Sequence, residues 1–186
     1  MQDEQIIDLY WQRDERAIAE SEVKYGSYCH GIAYHILANH EDAGECVNYT
    51  WFRAWNAMPP NRPGILRLFL AKITRNLSID KWKAKSAKKR GGSQMEVALE
   101  ELADCVADTA DVEGIVARKE LEKVINVFLH SLPERECNIF LRRYFYVEDA
   151  AEIAGRYALK ESNVLMILSR TRKKLRQYLE KEGYVL

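Results

Sequence analysis

The chain has 186 residues, of which 47% are apolar and 30% are charged. This composition is typical of a soluble globular protein and excludes disorder of the whole chain. No run of about 18 apolar residues occurs, and the acidic, amphipathic N-terminus does not resemble a secretory signal. We therefore expect no membrane insertion and a cytoplasmic location. The four cysteines are far apart and form no C-x-x-C pair, which predicts reduced thiols.

The formal net charge of zero hides a strong alternation along the chain. Residues 1–60 carry a net charge of −6 and residues 61–92 carry +9, whereas residues 93–115 carry −7 and residues 116–186 carry +4. Two basic blocks separated by an acidic stretch suggest two places that meet a polyanion, because lysine and arginine neutralise phosphates. Charge runs are also simply solvated faces in many proteins, and composition alone does not separate these interpretations.

Helical periodicity begins near the N-terminus, where Ile6, Ile7 and Tyr10 share a face, and it continues as far as Leu37. Asn39 is a good N-cap for the next helix, which would bury Val47, Trp51 and Met58. The sequence PPNRPG at 59–64 must end that helix. A fourth amphipathic helix then becomes steadily more basic until Gly91 and Gly92. The fold class predicted is all-α, and residues 1–92 form its first small domain.

The acidic segment 93–114 has small residues and no cation, so we predict a flexible linker with at most one short helical turn. Helical periodicity returns from Ile115, and Pro133 stands at a favoured first-turn position. Residues 115–186 are therefore predicted to form a second small helical domain. We find no internal repeat.

Residues 148–170 have the spacing of a helix-turn-helix. Ile153, Tyr157, Leu159, Val164 and Ile167 fall where a short helix, a tight turn and a second helix pack together. The second helix would then direct its N-terminal polar side chains outward, as a helix that enters a major groove does. An ordinary helical hairpin has the same apolar spacing, but the following SRTRKKLR adds cations suited to a duplex backbone. Leu165 and Met166 are apolar at outward positions, which favours contact with thymine methyl groups.

The chain from about residue 5 to 183 resembles the extracytoplasmic-function sigma factors of bacterial RNA polymerase. The resemblance rests on ILANHEDAGECVNYTWFRAWNAMPP, FLAKITRNLSIDKWKAK, SLPERECNIFLRRYF and ESNVLMILSRTRKKLRQYL, in that order. It implies that residues 1–92 are sigma region 2 and that about 115–186 are region 4. It also implies a non-enzymatic factor without cofactor that directs core polymerase to promoters and starts transcription.

The resemblance assigns three sets of site residues. Contact with the beta-prime clamp of core polymerase falls to Asp42, Glu45, Asn48, Tyr49 and Arg53, where Tyr49 replaces an acid usual in the family. Recognition and melting of the minus-ten element fall to Asn61, Arg62, Arg75, Asn76, Asp80, Lys81, Trp82 and Lys83. Recognition of the minus-thirty-five element falls to Arg142, Arg143, Lys160, Ser162, Asn163, Leu165, Met166, Arg170, Arg172 and Lys173. Region 4 would also contact the beta flap, and an anti-sigma protein would be a further partner.

Other patterns are weaker. His30, His35 and His40 are five residues apart, which turns successive side chains to different helix faces, so we expect no metal site. Ala158 lies in the predicted turn where the family commonly has glycine, and a left-handed conformation there would cost an alanine about 1 kcal/mol. The charge of the linker suggests that it enters the cationic channel of polymerase. The main rival is a stand-alone helix-turn-helix regulator, and a helical module that binds acidic proteins is a third possibility.

Overall fold

The computed structural model describes residues 1–86, 94–106 and 115–184. All regular elements in these ranges are α-helices, which confirms the predicted all-α class. The chain divides into two compact units, Met1–Ser93 and Gln94–Leu186. Each unit has its own apolar core.

The N-terminal unit contains four helices joined by short connections. They are α1 (Asp3–Trp11), α2 (Arg16–Leu37), α3 (His40–Ala57) and α4 (Leu66–Ser86). Asn39 caps α3 as predicted, since its side-chain oxygen accepts a hydrogen bond from the Asp42 backbone N–H at 2.9 Å. The proline-rich segment separates α3 from α4, also as predicted, because proline cannot continue the intrahelical hydrogen bonds.

The core of this unit is built from the apolar faces of all four helices. Its fully buried side chains include Ile6, Tyr10, Ala17, Cys29, Ala54, Met58, Leu66 and Leu70. Buried polar groups are hydrogen-bonded: the Tyr10 hydroxyl lies 2.9 Å from Ser21 Oγ, and the hydroxyls of Thr50 and Thr74 lie 3.0 Å apart between α3 and α4. This packing holds α3 and α4 side by side, so their outer faces form one continuous surface.

The C-terminal unit contains five helices among its described residues. They are α5 (Gln94–Val106), α6 (Ile115–Ser131), α7 (Glu134–Tyr144), α8 (Ala150–Tyr157) and α9 (Glu161–Lys181). The helix-turn-helix is α8 and α9. Ile153 and Val164 are buried as predicted, while Tyr157, Leu159 and Ile167 are half-buried. Leu168 and Leu175 of α9 are also buried.

The acidic segment differs from the predicted linker over its first half. Gln94–Val106 forms a helix, not a single turn, and it contacts α7 and α9. Met95 and Ala98 supply its buried face at a helical spacing of three residues. The prediction underestimated this element because four acids and no base dominate its composition. Residues 107–114 of the predicted linker lie outside the described residues.

The caps of α8 fix the geometry of the helix-turn-helix. The Asp149 side chain accepts from the Glu152 N–H at 2.7 Å, and the Glu152 side chain accepts from the Asp149 N–H at 3.2 Å, forming a capping box. At the other end Ala158 has φ 51°, in the left-handed region that favours glycine. The turn therefore holds an alanine in a left-handed conformation, where glycine would be less strained.

We expect the substitution Ala158→Gly to raise the free energy of unfolding of the C-terminal unit by roughly 0.5 to 1 kcal/mol, because it relieves this strain. Ala151→Gly is the matched control: Ala151 is exposed within α8, and glycine there should lower the free energy of unfolding by a similar amount. Urea denaturation followed by circular dichroism measures both. Equal destabilisation by the two substitutions would contradict this account of the turn.

Candidate functional site

The outer face of α3 is unusually rich in exposed aromatic residues. Tyr49 is 53% exposed and Phe52 is 60% exposed, and Asn48 and Arg53 are exposed beside them. Phe52 was not among the predicted contact residues. Its spacing of three from Tyr49 and four from Asn48 places it on the same face, which is the signal in the sequence that could have identified it.

Grooves lie on both sides of Phe52. One groove, with a volume near 400 Å³, has Phe52 on one wall and Leu77 of α4 on another. It is lined by Glu45, Cys46, Tyr49, Phe52, Arg53, Asn56, Leu77 and Lys81. The other groove, with a volume near 760 Å³, lies between α2 and α3 and adds the carboxylates of Glu15 and Glu22. Its wall includes Asn48, Trp51 and Trp55. Apolar surface flanked by charges of both signs suits a protein partner.

Two acids predicted to contact polymerase, Asp42 and Glu45, form ion pairs with lysines of α4. One of these lysines, Lys81, is also predicted to contact DNA. Lys81 Nζ lies 3.0 Å from Asp42 Oδ1 and also pairs with Glu45, while Lys85 pairs with Asp42. Hydrogen bonds from Lys85 and Lys81 hold the pKa of the Asp42 carboxyl below its ordinary value. Asp42, Glu45 and Lys81 therefore form a single charged cluster that joins α3 to α4.

Some of the predicted minus-ten residues line a further groove, which lies beside α4. This groove has a volume near 720 Å³ and contains Asn61, Asn76 and Asp80. It also contains residues that the sequence analysis did not assign to DNA, namely Asn56, Phe69, Lys72 and Ile73, together with Arg53. Lys72 is exposed and lies four residues before Asn76, so it shares that helix face. Amide groups, a carboxylate and two cations thus line one concave surface.

The remaining minus-ten residues lie elsewhere. Arg75 and Trp82 are seven residues apart and share a face of α4 that does not line this groove; both are half-buried, and burial lowers the pKa of Arg75. Lys83 is exposed. Arg62 pairs with Asp8 at 2.6 Å, and its guanidinium lies 5.8 Å from the centroid of the Trp11 ring. The side chain of Arg62 thus packs on α1 and does not line this groove, and its contact with DNA stays a prediction.

In the C-terminal unit, the outward side of α9 is an exposed polar and apolar surface that we name the reading face. It consists of Ser162, Asn163, Leu165, Met166, Ser169, Arg170 and Lys173, all exposed. Leu165 is 46% and Met166 47% exposed, which is notable for large apolar side chains. Lys160, the N-cap residue of α9, is exposed next to this face. The face suits a major groove, since it begins at the N-terminus of the second helix of the helix-turn-helix.

Arg142 and Arg143 do not belong to that exposed surface. Arg142 pairs with Glu148 at 2.7 Å. Arg143 is only 4% exposed and donates to the Gln94 side chain at 2.9 Å and to the Glu148 carbonyl at 3.1 Å. It also forms a bidentate pair with Glu101. The guanidinium of Arg143 is therefore buried among these acceptors and holds α5 and α7 together, which differs from the exposed position expected for a DNA contact.

Arg172 is an intermediate case. Its Nη1 lies 3.3 Å from Glu101 Oε2 and donates to the Tyr144 hydroxyl at 2.6 Å. The Tyr144 hydroxyl in turn donates to Glu101 at 2.8 Å. Burial alone would raise the pKa of the Glu101 carboxyl, but the hydrogen bonds from Arg143 and Tyr144 and the nearby positive charges lower it below its ordinary value. Glu101 is therefore ionised at neutral pH and holds part of the basic surface of α9.

The sequence spacing predicts that His30, His35 and His40 point in different directions, but two of these rings lie together in the structure. The rings of His30 and His40 stack with centroids 5.4 Å apart, and Tyr34 lies 4.3 Å from His40. The two come together because His40 begins α3 and His30 lies on α2. Among the described residues no group of three or more histidines, cysteines or acids could hold a metal ion. No described helix has the length and hydropathy needed to cross a membrane.

Comparison with known proteins places the two surfaces in two known regions. Residues 23–88 match the family model for sigma-70 region 2, and residues 128–177 match the model for sigma-70 region 4. The chain is 27% identical over 158 residues to the ECF RNA polymerase sigma factor SigE of Mycolicibacterium smegmatis. That alignment covers 82% of this chain and 57% of the relative, so the chain spans little more than half of the relative's length.

The matches agree with the geometry of the described residues. The α3 face and the groove beside α4 lie within the region 2 match, and α8 with residues 161–177 of α9 lies within the region 4 match. Residues 89–127 separate the two matched regions. With both regions present in the order that the sequence motifs predicted, the chain belongs to the extracytoplasmic-function group of sigma factors.

Proposed function

We propose that the protein is a promoter-specificity factor that directs core RNA polymerase to particular promoters and supports the start of transcription. The observation that carries this proposal is that an exposed aromatic face on α3, a polar groove beside α4 and the exposed reading face of α9 lie within the two matched regions. The factor acts through binding energy alone, with no cofactor and no catalytic step of its own.

Contact with the polymerase clamp falls to the outer face of α3. Phe52 and Tyr49 supply exposed aromatic area at its centre, and aromatic residues often dominate the energy of protein interfaces. Asn48 and Arg53 lie beside them, and Asp42 and Glu45 add negative charge at the N-terminal end of the helix. Because Tyr49 replaces an acid, we expect this interface to depend more on apolar contact than on charge.

In this proposal, the groove beside α4 binds the melted strand of the minus-ten element. A base turned out of a stack needs polar groups for its edges and a surface against its ring. Asn61, Asn76 and Asp80 offer those polar groups, and Phe69 lies in the same groove. Lys72 and Arg53 supply positive charge for the phosphates of a single strand. This arrangement extends the set assigned from the sequence by residues that only the fold brings together.

In this proposal, the reading face of α9 contacts the duplex of the minus-thirty-five element. Asn163 can donate and accept at a base edge, as asparagine does with adenine, and Leu165 and Met166 can contact thymine methyl groups. Arg170, Lys173 and Lys160 remain for the backbone phosphates. We therefore expect a preference for A·T base pairs. The beta flap and an anti-sigma protein remain further proposed partners, and a cytoplasmic location follows from the proposed role.

The acidic segment has a narrower role than the sequence suggested. Its first half is α5, which belongs to the C-terminal unit, so only residues 107–114 remain for entry into the cationic channel of polymerase. The stand-alone regulator is disfavoured, because a region 2 match accompanies the helix-turn-helix.

Run-off transcription from a randomised promoter library with purified core polymerase tests the proposed function. We expect transcripts only when polymerase and this protein are both present, and a shared upstream sequence among the transcribed templates. Binding of promoter duplex should be weak without polymerase and sequence-dependent with it. A stand-alone regulator would bind without polymerase, and a module that binds acidic proteins would support neither result.

We expect Phe52→Ala to weaken binding of core polymerase by about tenfold or more, because the substitution removes the more exposed of the two aromatic side chains of the α3 face. Val23→Ala is the matched control: Val23 is 85% exposed on α2 and lines neither groove beside Phe52, so its loss should change affinity less than twofold, roughly the scale of a neutral surface substitution. Fluorescence titration of labelled protein with polymerase gives both constants. Equal effects would exclude this face.

We expect Asn163→Ala to cost about 1 to 3 kcal/mol of discrimination at one upstream base pair, because the alanine removes a reader of base edges. Repeating the library selection with the variant should relax the preference at that position only. Gln177→Ala is the control, since Gln177 is exposed on α9 about 20 Å further along the helix. An unchanged selected sequence with Asn163→Ala would remove Asn163 from the proposed readers.

A further inference from the structure

One carboxylate of α5 gathers polar groups from two other helices. Glu101 accepts from Arg143 at 2.9 Å and from the Tyr144 hydroxyl at 2.8 Å, both on α7. It lies 3.3 Å from Arg172 on α9. A carboxylate bound by two guanidinium groups and a hydroxyl has the ligands that proteins also use for a phosphate. Glu101 therefore occupies the guanidinium of Arg172, which a DNA backbone could otherwise use.

The two arginines differ in what keeps them there. Arg143 has additional acceptors in Gln94 and Glu148 and is almost fully buried, so it stays in place without Glu101. The side chain of Arg172 is 22% exposed, and its sequence neighbour Lys173 belongs to the reading face. Arg172 is thus the cation at the border between the interior and the proposed DNA surface.

Few apolar side chains attach α5 to the C-terminal unit, so the polar contacts of Glu101 matter for its position. Among the side chains described for this helix, Met95 and Ala98 are buried and Leu102 is half-buried, while Val97 is 38% and Leu99 44% exposed. The helix carries four acids and no base, and α9 carries five cations between residues 170 and 176. A DNA duplex approaching α9 would be repelled by α5 and would compete with Glu101 for Arg172.

We propose that α5 is an electrostatic latch on the C-terminal unit, in which Glu101 holds Arg172 away from DNA until a promoter duplex displaces the carboxylate. The inference rests on the proposed function, since it takes α9 as the helix that meets the duplex. It gives a structural reason for weak duplex binding by the chain alone.

The latch predicts that Glu101→Gln strengthens duplex binding by the full-length chain. Fluorescence anisotropy with a labelled duplex of mixed sequence, measured at several salt concentrations without polymerase, should show affinity about fivefold or more above that of Glu100→Gln, with a salt slope about 0.9 steeper for one added phosphate contact. Glu100 is exposed on the same helix, so this control changes the net charge equally. Adding Arg172→Gln to Glu101→Gln should remove the gain. Equal binding by the two single variants, including no binding by either, or a gain that survives loss of Arg172, would overturn the latch.

Glu101 also contacts buried Arg143, so replacing Glu101 can destabilise the C-terminal unit. A second measurement therefore uses the unmodified chain. Hydrogen exchange of the α5 amides should become faster when the same duplex is added, while α9 becomes more protected. Unchanged or slower exchange in α5, with α9 protected, would overturn the latch. Failure of run-off transcription by the unmodified chain would count against the proposed function instead, because neither latch measurement contains polymerase.

Discussion

The structure depends on one constraint: a basic side chain that is bound to a carboxylate inside a domain is not at the same time available to a phosphate. In the C-terminal unit Arg143 is the clearest example, with three hydrogen bonds to side-chain oxygens and one to a backbone carbonyl. Breaking such a buried pair by removing one partner typically costs about 3 to 5 kcal/mol. Arg143 therefore stabilises the platform on which α9 is held, and the exposed cations of α9 remain for DNA.

Basic side chains of the N-terminal unit also pair with carboxylates, but several of these pairs lie at the surface. Lys81 pairs with Asp42 and Glu45, and Lys85 pairs with Asp42. Glu45 and Lys85 are more than half exposed, so the pairs that include either of them contribute little to stability and are screened by salt. The cluster lies between the α3 face proposed for polymerase and α4, which carries the proposed strand groove. One surface of region 2 thus combines apolar anchors, exchangeable charges and a concave polar groove, whereas region 4 separates a rigid buried charge network from an exposed reading face.

Sequence reasoning succeeded where the signal is local. Helical periodicity located both helical units, the Asn39 cap and the α8 to α9 turn, because these follow from residues three or four positions apart. It did not identify pairs whose partners are distant in sequence: Arg143 meets Glu101 across 42 residues, and Arg62 meets Asp8 across 54. The acidic composition of α5 hid its short apolar face of Met95 and Ala98. Phe52 was missed because an exposed aromatic on an amphipathic helix resembles a core residue until its neighbours are known.

The central claim is that buried Arg143 stabilises the C-terminal unit while exposed Arg170 contacts DNA. It is tested most directly by comparing Arg143→Gln with Arg170→Gln in two measurements on the full chain. One is the urea midpoint of the C-terminal unit, and the other is the salt dependence of promoter binding by the complex with core polymerase. Arg143→Gln should lower the midpoint and leave the salt slope unchanged, while Arg170→Gln should leave the midpoint unchanged and reduce the slope by about 0.9. A reduced slope for Arg143→Gln with an unchanged midpoint would contradict the account.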